Sequence, residues 1–96
     1  MLLWVIYDIE SDKARNRVAK YCKQSGLYRV QLSVFIGNIS PSDKDALSLQ
    51  IEAEINADRD KVYMFPITRE GMQQIVLLGQ AFDKKLVTDQ VRALFF

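Results

Sequence analysis

Apolar residues run unbroken from Met1 to Tyr7, meet Asp8, and resume at Ile9. A short run of this kind, rich in β-formers, predicts a fully buried strand over residues 2–9. The period then changes. On a helix over residues 12–25, Ala14, Val18, Tyr21 and Cys22 fall on one face. Lys13, Arg17 and Lys20 lie on the opposite side, and Arg15 and Arg17 flank the two borders of the apolar stripe. Ser11 or Asp12 caps the start of this helix, and Gly26 ends it.

Residues 28–37 alternate strictly. Tyr28, Val30, Leu32, Val34 and Ile36 point one way, while Arg29, Gln31, Ser33 and Phe35 point the other. Periodicity alone predicts one strand here. A second helix follows, with Ser40 as N-cap, Pro41 at its first position, and Leu47, Ile51 and Ile55 at four-residue spacing. Further strands are expected near 61–67 and 74–79, with the turn at Thr68-Arg69-Glu70-Gly71. In the tail, 80–96, residues 91–96 fit either a strand or the end of a short helix. Leu94-Phe95-Phe96 is too apolar to stand in water, so it is expected to pack on something. Strands alternating with two helices give a two-layer α/β sandwich with both helices on one sheet face. The other face is left open, and a second subunit is its simplest cover.

Ninety-six residues make one small domain, large enough for a single core. The net charge of +1 supplies no bulk attraction to nucleic acid or membrane, so a basic site must come from local clustering. The chain has no histidine, which excludes His acid–base chemistry, His metal ligands and Ser-His-Asp triads. Cys22 is the only cysteine, so an intrachain disulfide and a zinc cluster are excluded, and a buried position in the first helix is expected for it. The apolar start lacks a basic leader region and a small-residue cleavage site, and no run is long enough to span a bilayer. A cytoplasmic address is expected.

Phosphate-loop and dinucleotide glycine motifs are absent. Glu52 and Glu54 read as a solvated face, and Asp43 and Asp45 favour the dipole at the start of the second helix. Asp58-Arg59-Asp60-Lys61 reads as a mixed-sign, solvated turn. The cations of the first helix are more informative. Lys13, Arg15, Arg17, Lys20, Lys23 and Arg29 fall within residues 13–29 with no acidic residue among them. They form either a solvated helix face or a phosphate-binding surface, for which arginine's two-pronged donors are suited. Tyr7 and Phe35 are either core residues or stacking surfaces beside it. Asp8 has more than one reading too. An unpaired carboxylate beside a core is costly, so it is neutral, paired, at a mouth or holding a metal, or else it caps the next helix. One carboxylate is too few for a hard-cation site, whereas two copies across a twofold axis suffice.

Tyr7-Asp8-Ile9, then Asp12-Lys13-Ala14-Arg15-Asn16-Arg17-Val18-Ala19-Lys20, then the stretch from Gly26 to Gly37 resemble, in order, the small CRISPR-associated nuclease of the spacer-acquisition machinery. This is the second of the two universal CRISPR-associated proteins. The resemblance implies an α+β, ferredoxin-like β-α-β-β-α-β sandwich. It also implies two short strands around a tight turn near Leu32, against the single strand that periodicity predicts. An extra C-terminal strand, from the 74–79 segment and the tail, would be added to or exchanged with the partner in a homodimer. Residues 1–79 would form the nuclease domain, and 80–96 a tail packing on the partner protomer or a second protein.

The implied activity is divalent-metal-dependent cleavage of RNA or DNA, together with a scaffold role for the CRISPR integrase. Asp8 falls on the shared metal-binding aspartate, for Mg²⁺ or Mn²⁺, with Tyr7 and Phe35 at neighbouring catalytic positions. Arg15, Arg17, Arg29 and Ser33 fall on positions used around the nucleic acid, and Lys13 and Lys20 extend that surface. Double-stranded DNA, single-stranded RNA or both are the implied ligands, with no membrane partner. Ile36 departs from the family, many members of which carry Glu there, and the tail after Gln80 lies outside the resemblance. Two alternatives share the fold: a duplex-binding scaffold without catalysis, and a ribonuclease toxin or ligand-binding regulator.

Overall fold

The structure, a computed structural model, describes residues 1–83 together with Val91 and Ala93. Its elements run β1 (Leu2–Asp8), α1 (Asp12–Gln24), β2 (Tyr28–Gln31), β3 (Val34–Asn38), α2 (Pro41–Glu54), β4 (Lys61–Ile67) and α3 (Arg69–Gln73). The strands form one antiparallel sheet in the order β2-β3-β1-β4. β3 lies between β1 and β2, and β1 lies between β3 and β4. Each helical crossover therefore skips one strand, which is the ferredoxin-like α+β arrangement expected.

Local chemistry sets the helix ends. The Ser11 hydroxyl accepts the Ala14 N–H at 3.3 Å, so Ser11, and neither Asp12 nor Asp8, caps α1. Its other end closes in a Schellman turn: Gly26 N–H donates to Lys23 O at 3.0 Å and Leu27 N–H to Cys22 O at 3.1 Å. Gly26 takes φ +87° there, a conformation costly for any residue with a Cβ. Ser40 caps α2, with Pro41 at the first helical position.

Alternation along β1 divides the core. Leu3, Val5, Tyr7 and Ile9 face the helices, against Val18, Cys22, Phe35, Leu47 and Ile51. Leu2 and Trp4 face the other way, with Val30, Ile36, Met72 and Val91. Each fully buried side chain of this kind contributes about 1.5–3 kcal/mol.

Three expectations are corrected. Residues 28–37 are two strands, with Leu32 and Ser33 as the turn. Tyr28 pairs Ile36 and Arg29 pairs Phe35; a register shift then sets Gln31 opposite Val34, but Tyr28, Val30, Val34 and Ile36 still pack in one cluster, so the alternation reads through the turn. Periodicity could not reveal it. Thr68–Gly71 is no simple turn: the Thr68 hydroxyl accepts the Gly71 N–H at 3.0 Å and starts α3. No strand forms at 74–79 either. The chain leaves β4 at one sheet edge, buries Met72 and packs Ile75 and Phe82 on the second face. It reaches β2 at the other edge, where Asp83 N–H donates to Val30 O at 2.9 Å. A segment crossing the face has no strand beside it to form a ladder with. The second face is therefore covered in part by the chain itself. The expected docking of Leu94-Phe95-Phe96 lies outside the described residues.

Candidate functional site

β1 carries its apolar run to Tyr7 and ends on Asp8, where alternation turns the carboxylate away from the helices, onto the side of Trp4. The cover on that face does not extend so far, so Asp8 is exposed. It stands at an open cleft of about 500 Å³ lined by Tyr7, Asp8, Arg15, Asn16, Arg29 and Ser33 among others. Lys61 sits opposite Asp8 across the ladder, yet among the described residues no cation pairs with the Asp8 carboxylate.

Tyr7 holds the β2–β3 turn against this cleft. Its N–H donates to Ser33 O at 3.1 Å and its hydroxyl to Leu32 O at 3.3 Å. The ring is 5% exposed and stacks on Phe35 with centroids 6.3 Å apart. Burial pushes the phenol above its ordinary pKa, against the opposing pull of Arg29. At neutral pH Tyr7 is thus a donor and not a base. Phe35 is fully buried. Expected as a catalytic neighbour, it is instead the floor of the site, because β3 alternation turns it toward the helices. The Arg29 guanidinium lies 5.0 Å from the Phe35 ring centroid, in cation–π contact. The buried Arg29 Nε–H finds no acceptor among the described residues. Arg29 also lines the cleft, and a guanidinium there suits an acceptor-rich ligand such as a phosphodiester.

Arg15 is fixed from behind. Its Nη1 donates to Ile9 O at 3.1 Å and Glu10 O at 3.3 Å, while Nη2 pairs with Asp12. Asn16, which sequence reasoning passed over, lines the same cleft because it follows Arg15 on α1. Only its place between Arg15 and Arg17 hinted at this.

The remaining cations are elsewhere. Arg17, on the other border of the α1 stripe, faces α2 and pairs with Glu54 at 3.3 Å. Glu54, expected in a solvated face, also accepts from the Tyr21 hydroxyl at 2.8 Å and is largely covered. That carboxylate raises the Tyr21 pKa. Lys13 and Lys20 are exposed on α1 and do not line the cleft. The structure thus brings Tyr7, Asp8, Arg15, Arg29 and Ser33 together, seats Phe35 beneath them, and leaves Lys13, Arg17 and Lys20 outside.

Cys22 is fully buried behind the site, and burial pushes its thiol up to about 12. Its pKa when folded exceeds the unfolded value. The stability it contributes is therefore complete below the unfolded pKa, near about 8.5, and is lost as pH rises toward the folded value. Native protein should resist a thiol reagent at pH 8 and react fully once unfolded in guanidinium. Rapid native labelling would contradict this burial.

No three acidic or cysteine side chains among the described residues gather as a metal site. The cleft offers one carboxylate and otherwise neutral oxygens, a donor type suited to a hard cation and not to zinc.

Comparison with known proteins adds a family. The family model described as CRISPR associated protein Cas2 matches residues 1–75. The chain is 40% identical over 79 residues to "CRISPR-associated endoribonuclease Cas2 1" of Archaeoglobus fulgidus, covering 82% of this chain and 84% of that one. It is 37% identical over 79 residues to "CRISPR-associated endoribonuclease Cas2 2" of Chloroflexus aurantiacus, covering 82% and 93%. In fold it resembles the crystal structure of Streptococcus pyogenes Cas2 at pH 6.5, with a TM-score of 0.69 and 24% identity, over 82% of this chain and all of that one.

Proposed function

This chain belongs to the CRISPR associated protein Cas2 family, and from that premise we propose that it is an endonuclease of the spacer-acquisition machinery. RNA is the first substrate to test, since its relatives carry the name endoribonuclease; DNA is the second. The observation that carries the reading is an exposed, unpaired Asp8 carboxylate at the mouth of a cleft walled by Arg15 and Arg29. Arg15 and Arg29 neutralise and orient the phosphodiester. Tyr7 and Phe35 keep the floor and the turn in place beneath it.

Asp8 is the residue that would hold a divalent cation such as Mg²⁺ or Mn²⁺. When bound, the ion supplies charge against the phosphate and acidifies water for attack. Because one carboxylate per chain is too few, the site is completed by Asp8 of a second copy in a homodimer. Cross-strand register supports that placement. Phe65 pairs Trp4 and Tyr63 pairs Ile6, so both share the face of Asp8, and they are 41% and 57% exposed. Exposed aromatics beside the site suit a protein contact. We further place the chain in the cytoplasm as a scaffold for the CRISPR integrase. No helix among the described residues is long and apolar enough to cross a membrane.

Metal removal tests this. With labelled single-stranded RNA and with duplex DNA, cleavage should cease in excess chelator and return with added Mg²⁺. Cleavage that persists in chelator overturns the metal-dependent reading. The single carboxylate per cleft also favours a second reading, in which the chain binds duplex DNA as a scaffold and does not cut. Tight, salt-sensitive duplex binding with no cleavage in Mg²⁺ or Mn²⁺ would select it.

A further inference from the structure

We propose that Asp60 is a positioning residue of the cleft, holding the peptide that joins Ile9 to Glu10 and, through it, the guanidinium of Arg15. The inference rests on the reading of the cleft as a nucleic-acid site. Its origin is the register of β1 and β4. Lys61 stands opposite Asp8. The residue before Lys61 therefore reaches the chain just beyond Asp8.

Asp60 Oδ1 accepts the Glu10 N–H at 3.1 Å, and Oδ2 accepts the Asn56 N–H at 2.8 Å. On the other side of the loop, Arg15 Nη1 donates to Ile9 O at 3.1 Å. The Ile9 carbonyl and the Glu10 N–H belong to one planar peptide group. That group is gripped at both ends, by a carboxylate and by a guanidinium. Rotating the plane breaks both bonds at once. A charged acceptor on the N–H also polarises the amide and makes its carbonyl a better acceptor for Arg15. Asp60 thus sets the direction from which Arg15 enters the cleft, although the two side chains are joined only through backbone. The turn around Asp60, a solvated mixed-sign stretch in the sequence, is the clamp on the β1–α1 loop.

The test is a double-mutant cycle on RNA affinity. A labelled single-stranded RNA is titrated with native protein, Asp60→Ala, Arg15→Ala and the double variant. Asp60→Ala should raise Kd by roughly three- to tenfold, the worth of one such bond. The double variant should bind no worse than Arg15→Ala alone. In cleavage, KM should rise with kcat little changed, as for a group that binds and does not react. Asp60→Asn keeps one acceptor oxygen and should recover part of the loss; it carries the cycle if thermal unfolding shows that Asp60→Ala does not fold. Arg59→Ala removes only the exposed 3.4 Å ion pair to Glu10 and should leave Kd unchanged. If Arg15→Ala binds RNA like native protein, the cleft reading fails and the positioning role falls with it. If Arg15→Ala weakens binding but the penalties of Asp60 and Arg15 simply add, only the positioning role is overturned.

Discussion

Asp8→Ala is expected to abolish RNA or DNA cleavage while leaving the protein folded. Among the described residues the carboxylate is the only acidic side chain lining the cleft, and it forms no ion pair with any of them. It is exposed at the end of β1, and the helix cap beside it belongs to Ser11. Its removal therefore costs the fold little, since an exposed side chain without partners changes stability by no more than about 0.5 kcal/mol. Its cost to chemistry is large. Charge stabilisation of a phosphoryl transition state by a metal is worth several kcal/mol, and about 4 kcal/mol corresponds to roughly a thousandfold in rate. Asp8→Asn, equal in shape but uncharged, should be as inactive as alanine. The measurement is single-turnover cleavage beside a thermal melt. Full activity in a contaminant-free Asp8→Ala preparation would overturn the catalytic assignment, and a collapsed melting temperature would make Asp8 a structural residue.

Phe35→Ala should do the reverse and strike the fold first. Phe35 is fully buried in the helix-side core, stacked on Tyr7 and beneath Arg29. Truncating a buried Phe costs about 3–5 kcal/mol. Against a typical total of about 5–15 kcal/mol, that is a large share, and it should lower the melting temperature by tens of degrees. Phe35→Leu separates the two roles. It keeps an apolar side chain in the core but removes the ring on which Arg29 rests, a contact worth about 0.5–2 kcal/mol. Phe35→Leu should fold, melt somewhat earlier and bind RNA several-fold more weakly. Native affinity in a folded Phe35→Leu protein would show that the ring does not position Arg29.

The contrast between these residues separates what local pattern carries from what packing decides. The awkwardness of Asp8 was legible in the sequence because an acid interrupts an apolar run. The borders of the α1 stripe were legible too, since Arg15 and Arg17 sit on its two sides. Which border faces the cleft was not. That depends on α2 lying beside α1, where Glu54 takes Arg17 and leaves Arg15 to the loop after β1. The hairpin at Leu32 was hidden because Tyr28, Val30, Val34 and Ile36 pack in one cluster on both sides of the turn, and only the resemblance to the family pointed to it. The strand expected at 74–79 failed for a different reason. Its apolar run predicted a strand, but only Ile75 packs on the sheet face while Val76, Leu77 and Leu78 are exposed, and the segment lies across that face instead of along an edge.

By itself the sequence determined α1 and α2 with the Ser40 cap, β1 and β4, the two-layer arrangement, and the residue types at the site, while α3 was read as a turn. These follow from local periodicity and from capping chemistry, which act over a few residues. Only the tertiary structure decided that Tyr7 is a donor under the turn, that Phe35 is floor and not contact, and that Asp60 reaches Glu10 from 50 residues away. Such roles depend on strand register and on which side of a sheet a residue faces. Both are set by packing between distant segments, and no local pattern in the chain records them.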